Sequence, residues 1–224
     1  MDIFIALGFI FTPIIIGIIN IVLSIRTSKL NQNYIAEFYN NLIQYGNSQG
    51  EDYQTYDELL RESIKVQFLL GQNGVMYNYT PPYANYTYSS VQVIVNFLPE
   101  LHKRLREENE SIYPSTKIVL FYFDSIRECL IRFQGLLRQQ ENNLIGILKN
   151  PFKLFNYGIK TILHFPLYIL ASFGVITEDT SEKAFSNKFF NFLGALISML
   201  GLLGTVITIV TGWKAFIIFL KDFI

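Results

Sequence analysis

Acid–base, nucleophilic and metal chemistry all need titratable groups brought together, and this chain offers few whose spacing can unite them. Its two histidines, His102 and His164, stand far apart from each other and from most of the acidic residues. Its one cysteine, Cys129, permits no intramolecular disulfide. None of these falls into zinc-ligand spacing. Asp124 and Glu128 sit four apart, which places them on one helix face, but Arg127 and Arg132 lie beside them. Ion pairing explains that arrangement more simply than general acid–base work. There is no phosphate-cradling glycine loop, no paired-histidine metal motif and no nucleophile elbow. The sequence therefore predicts a protein that is not an enzyme, with no catalytic residue, cofactor or metal.

The charge balance argues against nucleic acid as the main partner. Eighteen basic residues balance eighteen acidic ones, whereas phosphate binding needs a basic surface. The densest basic run, Lys103-Arg104 with Arg106, is followed at once by Glu107, Glu108 and Glu110, the pattern of a solvated charged face. His102 falls on the apolar side of the same helical pattern, where a histidine satisfied within the core is expected. Cys129 is in register with Ile126 and Phe133 and reads as a small buried hydrophobe, not a nucleophile.

One constellation does depart from chance. Asn187, Asn191, Gly194, Ser198, Gly201, Thr205, Thr208 and Gly212 recur at four- and three-residue steps. At 100° per residue they form one narrow stripe on a helix. Small residues let backbones approach closely in lipid, and Ser or Thr hydroxyls can bond across such a contact. The expected partner is either the chain's own first helix, through Ala6, Pro13, Gly17, Asn20 and Ser24, or another copy of the chain. In the second case the stripe lies at the contacts of a homo-oligomer or lines a narrow pore.

The stripe has meaning only on a membrane helix, and the hydrophobic pattern supplies one. Half the residues are hydrophobic and only 16% are charged, against about 25% charged in soluble domains. No charge occurs from Ile3 to Ile25 or from Phe189 to Trp213. Either run, as a helix, exceeds the roughly 30 Å of a hydrocarbon core. Met1-Asp2 is not a basic start and the first run is long, so it reads as an uncleaved signal anchor. Neither run holds an ionisable residue, which argues against a proton-coupled transporter. A third run, Thr161 to Thr177, is at the lower limit for a span, and Pro166 within it should kink or interrupt the helix.

Before it, Asn150-Pro151 reads as a helix start. Lys149, Lys153 and Lys160 then share a face opposite Leu154, Phe155, Gly158 and Ile162. That suits an interfacial helix whose lysines reach anionic headgroups, or a packing helix with one solvated face. If all three apolar runs cross, Arg26, Lys29, Lys149, Lys153, Lys160, Lys214 and Lys221 collect on one side. The positive-inside rule then places the N-terminus outside and the polar middle and C-terminus in the cytoplasm.

The middle, Arg26 to Asn143, carries eleven basic and thirteen acidic residues. Period 3.6 recurs four times in it. Nothing between Gly17 and Gly46 is Pro or Gly, so the first helix should continue as a stalk presenting Leu30, Tyr34, Phe38, Leu42 and Tyr45. A second helix, Tyr53 to Gly71, would present Tyr56, Leu59, Leu60, Ile64 and Phe68. A third, about Val91 to Glu108, would present Ile94, Leu98, Leu101 and Leu105, with Pro99 bending it. A fourth, about Ser115 to Glu141, would present Ile118, Tyr122, Ile126, Cys129, Phe133 and Leu136. Residues 72–90, rich in Tyr, Asn and Pro, read as a loop packed on something. The triplets Asn78-Tyr79-Thr80 and Asn85-Tyr86-Thr87 within it match glycosylation acceptors as an Asn-rich chain does by chance.

The expected fold class is thus all-α. It is an integral membrane protein with two or three transmembrane helices and a cytoplasmic bundle-like region. The divisions are a signal anchor at 1–25, a cytoplasmic helical domain at 26–143, and an interfacial helix at 144–160. A short transmembrane helix at 161–177, an extracytoplasmic loop at 178–188, a C-terminal transmembrane helix at 189–213 and a cytoplasmic tail at 214–224 complete it. Its partners would be the bilayer with its anionic headgroups, itself as a homo-oligomer, or another membrane protein. The leading functional expectation is a membrane-anchored protein that binds or senses a cytoplasmic partner and acts through helix-mediated oligomerisation. A bacterial inner- or plasma-membrane effector or phage-exclusion factor fits that plan, though no residue selects it. The alternatives are a pore built on the C-terminal helix and an accessory subunit of a larger membrane complex.

Overall fold

The computed structural model describes residues 3–82, 84–110 and 116–177, and between 180 and 210 residues 180, 183, 187, 188, 192, 194–201, 203, 204, 206, 207 and 210. Helices dominate: α1 (Ile3–Asn47), α2 (Tyr53–Leu70), α3 (Val93–Glu110), α4 (Thr116–Leu148) and α5 (Pro151–Ser172). The exceptions are a 3-10 turn at Gly71–Gly74 and a hairpin of β1 (Val75–Tyr79) and β2 (Tyr88–Gln92). The chain divides into a central unit, Thr27–Glu141, and a terminal unit, Met1–Arg26 with Asn142–Ile224. Among the described residues, one helix is long and apolar enough to cross a membrane, α1 from Phe11 to Asn47.

In the central unit α1 does run on without a break to Asn47, no Pro or Gly falling between Gly17 and Gly46. It ends in a tight turn where Gln49 and Gly50 take positive φ. Asp52 then caps α2, its Oδ1 accepting from the Thr55 N–H at 3.0 Å and its Oδ2 from the Thr55 hydroxyl at 2.6 Å. One continuous core joins four helices and the hairpin: Ile35, Phe38, Leu42 and Tyr45 of α1, Leu59, Val66 and Leu70 of α2, Tyr79 of β1, Ile94, Phe97, Leu98, Leu101 and Leu105 of α3, and Tyr122, Ile126, Leu130, Phe133 and Leu137 of α4.

Two sequence expectations need correction here. The buried face of α2 is not the one formed by its largest apolar residues: Leu60, Ile64 and Phe68 are 43%, 73% and 85% exposed, while Thr55, Ser63 and Gln67 are buried. Each buried polar group has found a partner, which removes the penalty that hydropathy assigns to it. The Ser63 hydroxyl donates to the Leu60 carbonyl at 2.7 Å. The Gln67 amide donates to the Gly74 carbonyl at 3.0 Å and accepts from the Ile94 N–H at 3.0 Å. Gln67 thereby ties α2 to the 3-10 turn and to the first turn of α3. A Cβ on Gly74 would stand 2.7 Å from the Gln67 amide nitrogen, so the contact needs glycine there.

The second correction concerns residues 72–90. Instead of an irregular loop the chain forms an antiparallel hairpin, with Val75 opposite Gln92, Met76 opposite Val91, Asn78 opposite Ser89 and Tyr79 opposite Tyr88. The β-forming Val and Tyr residues make the strands, and Pro81 and Pro82 are confined to the connection.

In the terminal unit α1 crosses α5 at glycines. A Cβ on Gly158 would overlap the Pro13 carbonyl, and one on Gly17 would lie 3.0 Å from the Leu154 carbonyl oxygen. The Asn20 amide donates to the Thr161 hydroxyl at 3.2 Å. Ile21, Leu144 and Leu154 are buried together beside this crossing. Asn150 caps α5 as its sequence predicts, accepting from the N–H groups of Phe152 and Lys153 at 3.0 and 3.1 Å. Pro166 does not interrupt α5, which continues to Ser172. The helix break therefore lies at Lys149-Asn150, and none falls between 160 and 161.

Candidate functional site

The central unit holds a groove of about 790 Å³ between the hairpin and α3. Its wall is one face of α3, where Asn96, Glu100, Lys103 and Arg104 follow one another at four-, three- and one-residue steps. Its floor is aromatic. Tyr79, Phe97 and Tyr122 are at most 7% exposed, and the Tyr79 and Tyr122 hydroxyls share a hydrogen bond of 2.6 Å. Burial and that bond hold the Tyr79 hydroxyl well above its ordinary pKa, so it stays a neutral donor at physiological pH.

The opposite rim is the connection between the strands, pinned at its base by the Thr80 and Thr87 hydroxyls at 2.8 Å. Tyr86 and Tyr88 meet edge to face with centroids 5.2 Å apart, and both are more than half exposed. The groove is lined by five consecutive residues of β2, Tyr88 to Gln92. Side chains alternate between the two faces of a strand, so a groove that touches all five meets backbone as well as side chains of β2. Among the described residues the sheet has two strands, so β2 has one edge that no second strand pairs. Ser90, within the edge, holds a left-handed φ of 57°, an uncommon conformation for a residue other than glycine.

Among the described residues, Arg104 has an unmet requirement. Its Nη1 donates to Glu107 at 2.7 Å. Its Nε is buried and, among the described residues, has no hydrogen-bond partner. A buried donor left unmatched costs roughly 1–3 kcal/mol. Sequence reasoning treated Arg104 with Lys103 and Arg106 as solvated; Lys103 and Arg106 are exposed, while Arg104 is partly withdrawn. The missed signal was its position one turn after Leu101 and next to Leu105, both buried.

The residues singled out from the sequence fall elsewhere. His102 stacks on Tyr56, centroids 4.0 Å apart, and bonds the Tyr45 hydroxyl; burial and Arg106 lower its pKa, the behaviour of a core histidine. Cys129 donates to the Asn73 carbonyl at 3.1 Å, and burial pushes its thiol up to about 11. Asp124 and Glu128 each hold an arginine, Arg127 at 3.3 Å and Arg132 at 2.8 Å. No cluster of potential metal ligands occurs among the described residues.

Of the stripe, Ser198 and Gly194 are buried within the terminal unit against α5. The Ser198 hydroxyl lies 3.3 Å from Asn156 Oδ1, and a Cβ on Gly194 would lie 3.0 Å from Lys160 Cγ. A Cβ on Gly201 would lie 3.8 Å from Phe155, and Asn187 is exposed. Asn191, Thr205, Thr208 and Gly212 lie outside the described residues. Of the lysines, Lys149 and Lys153 are exposed and Lys160 is half-buried. Comparison with known protein families, with characterised proteins and with solved structures finds no match for this chain.

Proposed function

We propose that this chain is a membrane-anchored recognition protein whose central unit binds an extended segment of a partner polypeptide in the groove between β2 and α3. The observation that carries the reading is a tyrosine-rich groove lined by all five residues of β2, a strand with one edge that no described strand pairs. An added strand would satisfy the edge's backbone groups, and alternate side chains would enter the aromatic groove. Tyrosine is well suited to such surfaces, since its ring buries area while its hydroxyl bonds. No constellation of nucleophile and base accompanies the groove among the described residues, which favours binding over catalysis.

Anchoring rests on the uncharged run of α1 and on residues 189–213, with 161–177 as a further span. The basic flanks favour a cytoplasmic central unit and an external N-terminus. Assembly of several copies belongs to the same proposal, with the small-residue stripe packing on α5 within a chain and its exposed apolar neighbours Met199, Leu200 and Leu203 facing lipid or a second copy. The test is selection of displayed random peptides on the full chain reconstituted in nanodiscs. Enriched extended sequences that lose affinity for the Tyr88→Ala variant support the reading; failure to enrich any, or binders indifferent to Tyr88 and Asn96 substitutions, overturns it. A reporter fused after Lys221 that proves extracytoplasmic overturns the orientation.

A further inference from the structure

We infer that the C-terminal end of the outer face of α2 rests on an anionic bilayer surface, with Phe68 and Leu30 seated among the lipid headgroups. This rests on the anchoring of α1 proposed above and is independent of the groove. Two contacts fix the direction of α2. Near its start, the Thr55 hydroxyl accepts from the Gln44 amide at 3.1 Å. Near its end, the Lys65 ammonium stands 3.8 Å over the ring of Tyr34. Contacts that ascend in α2 while they descend in α1 make the two helices antiparallel, so α2 returns toward the end of the uncharged run. One turn beyond the pair of Lys65 and Tyr34 come Phe68 and Leu30, 85% and 60% exposed. Leu30 follows Ile25, the last residue of that run, by five residues, about 7.5 Å of helix rise. The headgroup layer is roughly 5–7 Å deep on each side of the hydrocarbon. An α1 that crosses the bilayer therefore holds both side chains at the outer margin of that layer, and a tilt of about 20° toward α2 lowers them into it.

Two gradients name the occupant. Exposure of the apolar stripe rises toward this end, from 43% at Leu60 to 73% at Ile64 and 85% at Phe68, as it should if the cover lies beyond Phe68. A helix lying along the whole of α2 would ask for an apolar face throughout, but Asp57, seven residues before Ile64 and so on the same face, is an exposed charge. Charge runs the same way as exposure. The exposed acids of α2, Asp57, Glu58 and Glu62, all precede its last charged residue, Lys65. At the level of Leu30 stand Lys29 and, on α4, Arg138, placed there by the Ser28 hydroxyl donating to the Leu137 carbonyl at 3.4 Å; both are exposed. The acid among them is Glu141, 3.6 Å from Lys29. An apolar tip ringed by cations matches an anionic leaflet, where rings enter the interface and lysines meet headgroups.

The experiment measures depth by fluorescence in the full chain, in nanodiscs of phosphatidylcholine with phosphatidylserine. The one tryptophan is removed by Trp213→Phe, and a single one is returned by Phe68→Trp, Tyr53→Trp or Ile18→Trp. Lipid brominated near the top of its acyl chains quenches an indole at the interface, and acrylamide quenches one in water. Position 18 reports the anchor and position 53 the far end of α2. Strong lipid quenching at 18, and quenching at 68 several-fold above that at 53, is the expected result. Omitting phosphatidylserine, or adding Lys65→Glu, should lower the quenching at 68 by about twofold or more. Quenching at 18 with none at 68, or equal quenching at 68 and 53, overturns the inference and leaves the anchor standing. No quenching at 18 removes the anchor and the inference with it. An indole at 68 shielded from both quenchers assigns the face to a second copy or a protein partner and overturns the inference. Quenching at 68 that ignores both phosphatidylserine and Lys65→Glu overturns the choice of anionic lipid. Unfolding in detergent micelles does not register this contact, because the unfolded chain offers position 68 to detergent equally.

Discussion

Replacing Gln67 by Met tests whether a buried amide, and not an apolar stripe, orients α2. Methionine keeps the unbranched shape and nearly the volume, so little cavity is created. What is lost is the donor to the Gly74 carbonyl and the acceptor for the Ile94 N–H, both at 3.0 Å and both buried. Two orphaned groups at about 1–3 kcal/mol each give about 2–6 kcal/mol, a large share of the 5–15 kcal/mol typical of a domain. The measurement is urea unfolding of the full chain in detergent micelles, followed by near-ultraviolet tyrosine dichroism, with exchange of the Ile94 amide as a local probe. Gln67→Glu sharpens it. At neutral pH a buried carboxylate there lacks the donor to Gly74, so it should destabilise at least as much as Met. Its pKa is raised by burial above the ordinary value of about 4.3, so acidification should restore stability relative to the native chain as the carboxyl gains its proton and donates. A loss below about 0.5 kcal/mol for Gln67→Met, with unchanged Ile94 exchange, refutes the reasoning, since changes of that size are ordinary for surface positions.

Other consequences can be checked together. Gly158→Leu should force α5 away from α1, because even a Cβ would overlap the Pro13 carbonyl; disulfide trapping between cysteines placed at 20 and 161, in a Cys129→Ser background, should fall at least several-fold. Phe68→Ser, at an 85% exposed position, should change unfolding stability by no more than about 0.5 kcal/mol, although hydropathy would assign it to the core. The Cys129 thiol, raised to about 11, should resist iodoacetamide at pH 8 in the folded protein and react on unfolding. Because the fold favours its neutral form, Cys129 also contributes stability that is lost as pH rises from about 9 toward 11; that loss should be absent in Cys129→Ser.

The helices were legible because their signals are local. The Asn150-Pro151 start, the run free of Pro and Gly between Gly17 and Gly46, and the repeat of Ile94, Leu98, Leu101 and Leu105 are all read from residues close in the chain. The face of α2 was not legible, since Gln67 becomes a core residue only when Gly74 and Ile94, seven and twenty-seven residues away, supply its partners. The hairpin was hidden for a related reason. Its strands are short, and its Tyr- and Asn-rich residues carry no alternating apolar pattern until Tyr79 finds Phe97 and Tyr122. The groove follows from that hairpin, so its residues gave little sign in advance. Arg104 looked like one charge among several, and only the fold withdraws its Nε from water. For the stripe the period was visible in sequence, but its contacts were not: Lys160, on the lysine face expected to meet headgroups or solvent, lies beside Gly194, and Asn156 lies beside Ser198.

The central claim is that a partner segment lies along β2, and amide hydrogen exchange tests it most directly. The full chain in nanodiscs would be compared with and without a peptide selected on the groove, at saturating concentration. Slowed exchange concentrated in Tyr88 to Gln92 and in the facing turns of α3, with β1 little changed, is the predicted result. Unchanged exchange in β2 with new protection on the outer face of α2, around Ile64 and Phe68, would contradict it and move recognition to the exposed helix face.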